Sequence, residues 1–554
     1  MQRTPVRPLP QPSLASREFW TSGEDGALRI ARCADCLAYT HPPLPRCRVC
    51  RGPRMEMSVV SGRGVVVAVS VNHQQWLPDF PPPYVVAIVA IEEDDGARLM
   101  TNIVGCAPEQ VAVGMHVRVV FEKTEDLYVP LFEPDPERPV HDGPMPPIRE
   151  VAKALRPMPT TRKFEEQVAL TGVGQSEVGR RLMRDPLSLT ADACLSAIAD
   201  AGLDVDDIDG LATFPGNSSG TPTGGTSEGG VMAVAEALQL KPTWVNGGSD
   251  TPGQIGSITA AMLAVASGLC RHVLCFRTVW QSSHSALVRQ GLWRDVSGPA
   301  SGMMEWRSPY GAVSAANWIA CNASNYLHRY GVGREALGWI AVNSRKNAGR
   351  NPEAVYREPI TLDDYFDARM VSSPFGLYDC DVPVDGCVAF VVSAIETAPD
   401  RPKPSVLVEA VGTQVMERLS WDQDTLTHLP QSIGPAAHLW SRTSLRPDDV
   451  DVAQLYDGFT FNALSWLETL GFCEPGGATD FVDEGRGIAL DGKLPLNTHG
   501  GQLSAGRLHG YGFVREAMLQ LRGEAEGRQV PDARVAVVSA GGGVPSGAML
   551  LVAG

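Results

Sequence analysis

The feature that most constrains this chain is a pair of CxxC knuckles, Cys33-x-x-Cys36 and, ten residues on, Cys47-x-x-Cys50. Two such knuckles place four thiolates tetrahedrally around one Zn²⁺, each pair held in a tight turn. Residues 1–55 are therefore expected to be a short N-terminal helix and a metal-nucleated ribbon. Four sulfur ligands fill the coordination sphere, so zinc on Cys33, Cys36, Cys47 and Cys50 is expected to be structural, with no open position for a catalytic water. Cys194, Cys270, Cys275, Cys387 and Cys473 sit in apolar stretches and read as core residues. The N-terminus, MQRTPVRPLPQPS, is polar and Pro-rich without an apolar h-region, and no stretch reaches the roughly 18 apolar residues of a spanning helix. A cytoplasmic protein with no membrane attachment is expected.

At 554 residues the chain exceeds one hydrophobic core, and 44% apolar with 20% charged residues is ordinary globular composition. A formal charge of −16 argues against nucleic-acid partners, although local arginines can still hold a phosphate-bearing ligand. Over residues 56–135 the runs Gly64–Val69, Tyr84–Ile91, Ala97–Val104 and Met115–Phe121, divided by acidic and glycine turns, suit a small antiparallel barrel. It lacks the basic stripe with interleaved aromatics of an oligonucleotide binder. A helix ending in Phe19-Trp20, the ribbon, a G-x-V strand, Pro83-Tyr84 and VGMHVRVVFE together resemble the domain-of-unknown-function-35 family over about residues 12–135. The resemblance implies a rubredoxin-like zinc ribbon followed by an OB-fold, a module that accompanies thiolase-like acyl-CoA enzymes. Residues 136–163, rich in Pro and charge, read as an extended linker.

From residue 164 to 554 apolar strands alternate with helices. Val168–Gly174 is a buried-strand run; Leu189–Ala201 has helical spacing and stops at Gly202; Val231–Leu240 and Ile255–Ser267 read as further helices. Thr243–Asn246 and Val273–Phe276 read as strands, and the later stretches Ser405–Gly412, Val452–Leu470 and Arg534–Gly554 repeat the texture. Alternation of this kind implies a duplicated α/β domain with buried strands.

Four segments in this region resemble thiolase signatures in order: a strand–loop–helix around Asn246–Gly268, QLYDGFTFNAL, an Asn-x-x-Gly-Gly stretch and a terminal Ala-Gly-Gly-Gly loop. The resemblance implies a duplicated α/β/α thiolase fold and a homodimer. It does not carry over the thiolase chemistry. Thiolases present a cysteine nucleophile at the helix N-terminus, where the dipole lowers its pKa; here the loop reads Gly247-Gly248-Ser249-Asp250-Thr251-Pro252-Gly253. The family's water-orienting Asn-Glu-Ala-Phe motif stands as Tyr456-Asp457-Gly458-Phe459, its histidine base aligns with Arg507, and its last catalytic cysteine aligns with Ser539.

Removing the cysteines removes acyl transfer and leaves the handling of a thioester enolate. Backbone amides of glycine loops can stabilise an enolate in a dry site, and Gly500, Gly501, Gly541, Gly542 and Gly543 are the expected donors, with Ser249 and Arg507 beside them. Such a site can cleave a β-hydroxyacyl-CoA by retro-aldol, releasing a ketone or aldehyde and a shorter acyl-CoA without a redox cofactor. Tyr456 and Tyr511 are the expected proton handlers; an ordinary phenol has a pKa of about 10, and a cation such as Arg507 lowers it. This pattern resembles the steroid side-chain aldolases of the lipid-transfer-protein branch, which implies a steroid or other bulky hydrophobic acyl group. His499 and His509 are alternative bases, and Asp457 reads as a loop-orienting residue. Two other functions fit the same residues: a thiolase-like acyltransferase or Claisen enzyme using Ser249 or Cys380, and a non-catalytic acyl-CoA or lipid carrier.

Overall fold

A computed structural model of the chain describes residues 6–147, 162–215, 225, 230–248, 251–293, 300–418, 422–428, 432–541 and 546–554. The ribbon is a three-stranded antiparallel sheet of β1 (Arg29–Cys33), β2 (Tyr39–Thr40) and β3 (Met55–Val59) in the order β2-β1-β3. β3 pairs with the whole of β1, so the ribbon extends past the boundary expected at residue 55. The barrel strands are β4 (Arg63–Asn72), β5 (Tyr84–Ile91), β6 (Asp94–Thr101), β7 (His116–Thr124) and β8 (Leu127–Pro134). Four of these match the apolar runs of the sequence. β8 carries Pro130 opposite Phe121 and reads poorly as a strand for that reason. Phe19 and Trp20 of the short Arg17–Thr21 helix pack with Ile30 of the ribbon and Val66, Val85, Leu99 and Phe132 of the barrel in one continuous core.

The large domain holds one nine-stranded sheet. Its strands are β9 (Val168–Gln175), β10 (Gly210–Thr213), β11 (Trp244–Asn246) and β12 (His272–Trp280), then, after the hairpin β13 (Met370–Ser372) and β14 (Phe375–Gly376), β15 (Asp385–Ala394), β16 (Val406–Gly412), β17 (Val452–Gln454), β18 (Val535–Ala540) and β19 (Gly547–Ala553). The order β11-β10-β12-β15-β9-β16-β19-β18-β17 reads as two mirrored halves joined where β9 and β16 pair antiparallel at Leu170 and Val406. In each half two strands, β15 and β9 or β19 and β16, run antiparallel to both neighbours. The duplication expected from the sequence is therefore present. The second half's third strand is reduced to one parallel bridge, Ala453 to Leu496, beyond which the side chain of Asn497 takes over the ladder, its Oδ1 accepting from Leu455 N and its Nδ2 donating to Leu455 O.

Successive residues of β12 face opposite layers. Leu274 and Phe276 pack on the Pro186–Asp200 helix, whereas Val273, Cys275 and Val279 join the central core with Ile258 and Met262 of the Gly256–Ala266 helix. The Tyr511–Arg522 helix is the second half's counterpart of the Gly256–Ala266 helix, and both lie against β9 and β15.

The small domains are clamped to the large one through the insertion between β12 and β15. The Ala315–Tyr330 helix lies along β4, where Asn325 Nδ2 donates to Val67 O at 2.8 Å and Val69 N to Ser324 Oγ at 3.0 Å. β13 adds to the barrel sheet beside Asn72. Trp20 stacks on Trp306 at 5.3 Å and donates from Nε1 to Glu305 at 2.7 Å. The first part of the expected linker follows the barrel surface through Gly143 N to Gly114 O, 2.9 Å; residues 148–161 lie outside the described residues. Among the described residues no helix is long and apolar enough to cross a membrane.

Candidate active site

Four connections of the duplicated domain converge at the C-terminal ends of β11, β17 and β18: the loop after β11, the turn after β17, the segment 497–511 and the end of β18. Their backbones touch. A Cβ on Gly253 would lie 2.8 Å from Ala540 O, and one on Gly547 would lie 2.3 Å from Pro252 O. The site is built on this contact.

Tyr456 follows β17 and is 6% exposed; its main-chain N–H donates to Ser539 Oγ at 3.0 Å. Gly458 leaves room for the ring, since a Cβ there would lie 2.8 Å from it. Tyr511 opens its helix, is fully buried, and its hydroxyl meets Ser257 Oγ at 2.7 Å. Burial pushes both phenols above their ordinary pKa. Asp381 adds to the rise at Tyr456 while Arg507 and Gln502 oppose it; at Tyr511 the Ser257 bond and Arg277 oppose it. Arg507 thus acts on Tyr456 in the expected direction, but burial outweighs it. The low-pKa phenol expected from the sequence is corrected to two hydroxyls that burial keeps neutral.

Arg507 donates to both oxygens of Asp381 at 3.3 Å and to Gln281 Oε1. Burial raises the Asp381 carboxyl and Arg507 holds it back. Asp457 is fully buried, accepting from Gln502 N at 2.7 Å and Asn497 Nδ2 at 3.0 Å, and burial pushes it up to about 7. Gly501, with φ +58°, fits because a Cβ would fall 1.9 Å from Asp457 Oδ2. Gly500 packs on Ala348, and its carbonyl accepts from Ser344 Oγ. Gly541 follows β18 and is buried. Ser249, Gly542 and Gly543 lie outside the described residues.

His499 and His509, the alternative bases, are both held below the ordinary histidine range. Burial lowers His499 to about 4 against the opposing Glu516, and its Nδ1 has no partner among the described residues. His509 is lowered by burial, then by Arg277 and Arg507, and its Nδ1 lies 2.5 Å from Arg277 Nη2. Cys380 is raised by burial and by Asp379 and Asp381, which leaves it a thiol rather than a reactive thiolate. Cys387, influenced by Arg277, is raised to about 12 by burial.

Arg277, Asp381, Ser257 and Gln502 join this site without having been singled out by the sequence. Arg277 carried a signal: it interrupts HVLCFRTVW, a strand buried on both faces, where an arginine needs a reason. The other three are ordinary polar residues that only the fold brings together.

Some distance away, the Sγ atoms of Cys33, Cys36, Cys47 and Cys50 all lie within 4.8 Å of one another. The short pairs, 3.4 Å for Cys36–Cys47 and 3.6 Å for Cys33–Cys50, approach the ~3.8 Å edge that four tetrahedral Zn–S bonds of about 2.3 Å require. Val49 N donates to Cys47 Sγ at 3.3 Å and Gly52 N to Cys50 Sγ at 3.4 Å, and the Cys50 and Val49 amides draw the Cys47 thiol down to about 6. This donor set fits a zinc ion.

Residues 20–56 match the family model for the ChsH2 rubredoxin-like zinc ribbon domain, residues 58–122 that for the ChsH2 C-terminal OB-fold domain, and residues 416–554 a thiolase C-terminal domain-like model. A steroid side-chain-cleaving aldolase of Thermomonospora curvata is 35% identical over 390 residues, covering 69% of this chain and 97% of its own length. A 17-hydroxy-3-oxo-4-pregnene-20-carboxyl-CoA lyase of Mycobacterium tuberculosis is 32% identical over 391 residues, covering 70% of this chain and 99% of its own. The solved structure of an Ltp2-ChsH2(DUF35) aldolase superposes with a TM-score of 0.62 at 33% identity, over 70% of this chain and 98% of that one. The chain belongs to the family of thiolase-fold steroid side-chain-cleaving aldolases, and it carries a ChsH2-type zinc ribbon and OB-fold in the same polypeptide.

Proposed function

We propose that this protein is a carbon–carbon lyase that cleaves a β-hydroxyacyl-CoA by retro-aldol, with a steroid or similarly bulky acyl group, giving a ketone or aldehyde and a shorter acyl-CoA. The observation that carries the reading is the pair of buried phenols, Tyr456 and Tyr511, held among Ser539, Ser257, Arg507 and Arg277, with Ser539 and Arg507 at the positions that align with a catalytic cysteine and the histidine of the resembling acyl-transfer enzymes. Tyr456 accepts the β-hydroxyl proton as its own proton passes to the neighbouring Asp381. The Cα–Cβ pair moves into the thioester enolate, and Tyr511 delivers a proton to Cα. The proton lost by oxygen equals the one gained by carbon and nothing is oxidised; Asp381 then releases its proton to solvent and Tyr511 takes one back, which restores the site. Gly500, Gly501 and Gly541 shape the pocket around the thioester. Raised thiols at Cys380 and Cys387 count against an acyl-enzyme.

A structural zinc on the four ribbon thiolates nucleates a module that has little core of its own. A homodimer through β11 fits the exposed Val245 on that edge strand, with Met232 and Leu263 exposed on the nearby helices. A reducing cytoplasm suits a chain whose cysteines are free thiols.

The test is a panel of β-hydroxyacyl-CoA thioesters followed by mass spectrometry of both products. Cleavage that falls at least 100-fold in Tyr456→Phe and in Tyr511→Phe, roughly the size of a lost proton-transfer partner, supports the reading. A covalent acyl adduct on the protein, or full activity in both variants, overturns it.

A further inference from the structure

Arg277 is an unusual cation. It projects from β12 into the central layer, in line with Val273, Cys275 and Val279, and is 2% exposed. Among the described residues no carboxylate pairs with it. Its Nη1 donates to Phe214 O at 2.5 Å, its Nη2 meets His509 Nδ1 at 2.5 Å, and its Nε has no partner among the described residues. A buried charge without a counter-ion is costly unless something else at the site receives it. The groups whose negative charge would favour it are Tyr511, Tyr456 and Cys387. Burial brings Arg277 down to about 9, which still leaves it charged near neutrality.

An arginine donates and cannot accept, so His509 Nδ1 must be the acceptor of the Arg277 bond. In a neutral imidazole the proton then sits on Nε2. Burial and the two nearby arginines, Arg277 and Arg507, keep the ring neutral. The ring is also pinned from its backbone: His509 adopts φ +47°, its N–H donates to Gln502 Oε1 at 3.0 Å, and Gly510 follows at φ +81°. The residue keeps an intermediate exposure although it lies deep in the domain.

We infer that His509 is a hydrogen-bond donor through Nε2–H, fixed in that tautomer by Arg277, and that it receives the thioester oxygen as the enolate forms rather than abstracting a proton. Arg277 is the positioning residue behind it, its charge transmitted through the imidazole to the oxyanion. Such a preorganised donor strengthens as charge develops on the oxygen, so it acts on the transition state more than on the bound substrate. The inference rests on the retro-aldol reading for the identity of the oxyanion, while the tautomer follows from the geometry alone.

The two parts separate experimentally. Protein labelled with ¹⁵N in its histidine rings, with His509→Gln used to assign the signal, is expected to show His509 Nδ1 as the pyridine-type nitrogen and Nε2 as the protonated one. Arg277→Met, and Arg277→Gln, which can donate or accept, should Met prevent folding, is expected to mix the tautomers. A protonated Nδ1, or no change on altering Arg277, overturns the dyad whether or not the protein cleaves any thioester. Kinetically, His509→Gln keeps a donor and is expected to lose about 10-fold in kcat, whereas His509→Phe loses about 10²–10³-fold with KM little changed. Equal, complete loss in both variants marks His509 as a base and overturns the donor role.

Discussion

Ser257 Oγ and the Tyr511 hydroxyl meet at 2.7 Å across the two halves of the duplicated domain, each from the first turn of its half's central helix. Ser257 also bonds Gln254 O at 3.1 Å. Removing the two groups therefore has unequal consequences. Ser257→Ala strands a fully buried phenol and is expected to cost about 1–3 kcal/mol, whereas Tyr511→Phe leaves Ser257 a partner and costs about 1 kcal/mol. The order reverses in turnover, where Tyr511→Phe loses the proton donor. Denaturant midpoints and kcat for both single variants and the double variant measure the split. Equal effects of the two on kcat count against Tyr511 as the donor.

Arg507 compensates Asp381, whose side chain is 10% exposed. Arg507→Met is expected to destabilise the protein by about 3 kcal/mol, because Asp381 is left as a buried charge that must take up a proton. Asp381→Asn in the same chain is expected to restore most of the loss. Thermal melts at pH 6 and pH 8 should show the single variant losing more at pH 8. A double variant no more stable than Arg507→Met would mean that the pair is not the source.

Asp457 gives the fold a pH dependence of definite sign. Its carboxyl rises from 3.8 to about 7 on folding, so the folded state holds the proton more tightly than the unfolded chain. The associated stability is fully present below about pH 4 and is lost as pH rises through 7, by at most about 1.4 kcal/mol per pH unit. Asp457→Asn is expected to flatten this slope between pH 5 and 7 in denaturant titrations. An unchanged slope would assign it to another group.

Chelation should unfold the ribbon first. Ile30 of β1 shares one core with Trp20 and the barrel, and Trp20 anchors that core to Trp306 and Glu305. Loss of zinc is thus expected to lower the melting temperature of the whole chain and to expose the ribbon to protease. Trp20→Ala is expected to cost about 3–5 kcal/mol by leaving a cavity and an unpaired Glu305, with the zinc still bound. A ribbon that stays protease-resistant without zinc would remove the metal's structural role.

The zinc ribbon, the barrel and the duplicated α/β frame were legible in the sequence because local chemistry dictates them. Two CxxC knuckles admit few other partners, and a strand buried on both faces must be apolar along its length. β8 escaped because Pro130 breaks its pattern. The candidate site was legible only where a residue replaced a motif position, as with Tyr456, Arg507 and Ser539.

Protonation and partnership were another matter. Sequence spacing put Arg507 near the tyrosines and left His499 and His509 as bases. It carried no information on burial, which raises both phenols and keeps both imidazoles neutral. Arg277 and His509 are 232 residues apart, and Ser257 and Tyr511 are 254 apart. By itself the sequence determined the frame and the four-cysteine ribbon. Only the tertiary structure decided which groups meet and which carry protons, because desolvation and hydrogen bonding depend on what lies across the site rather than along the chain.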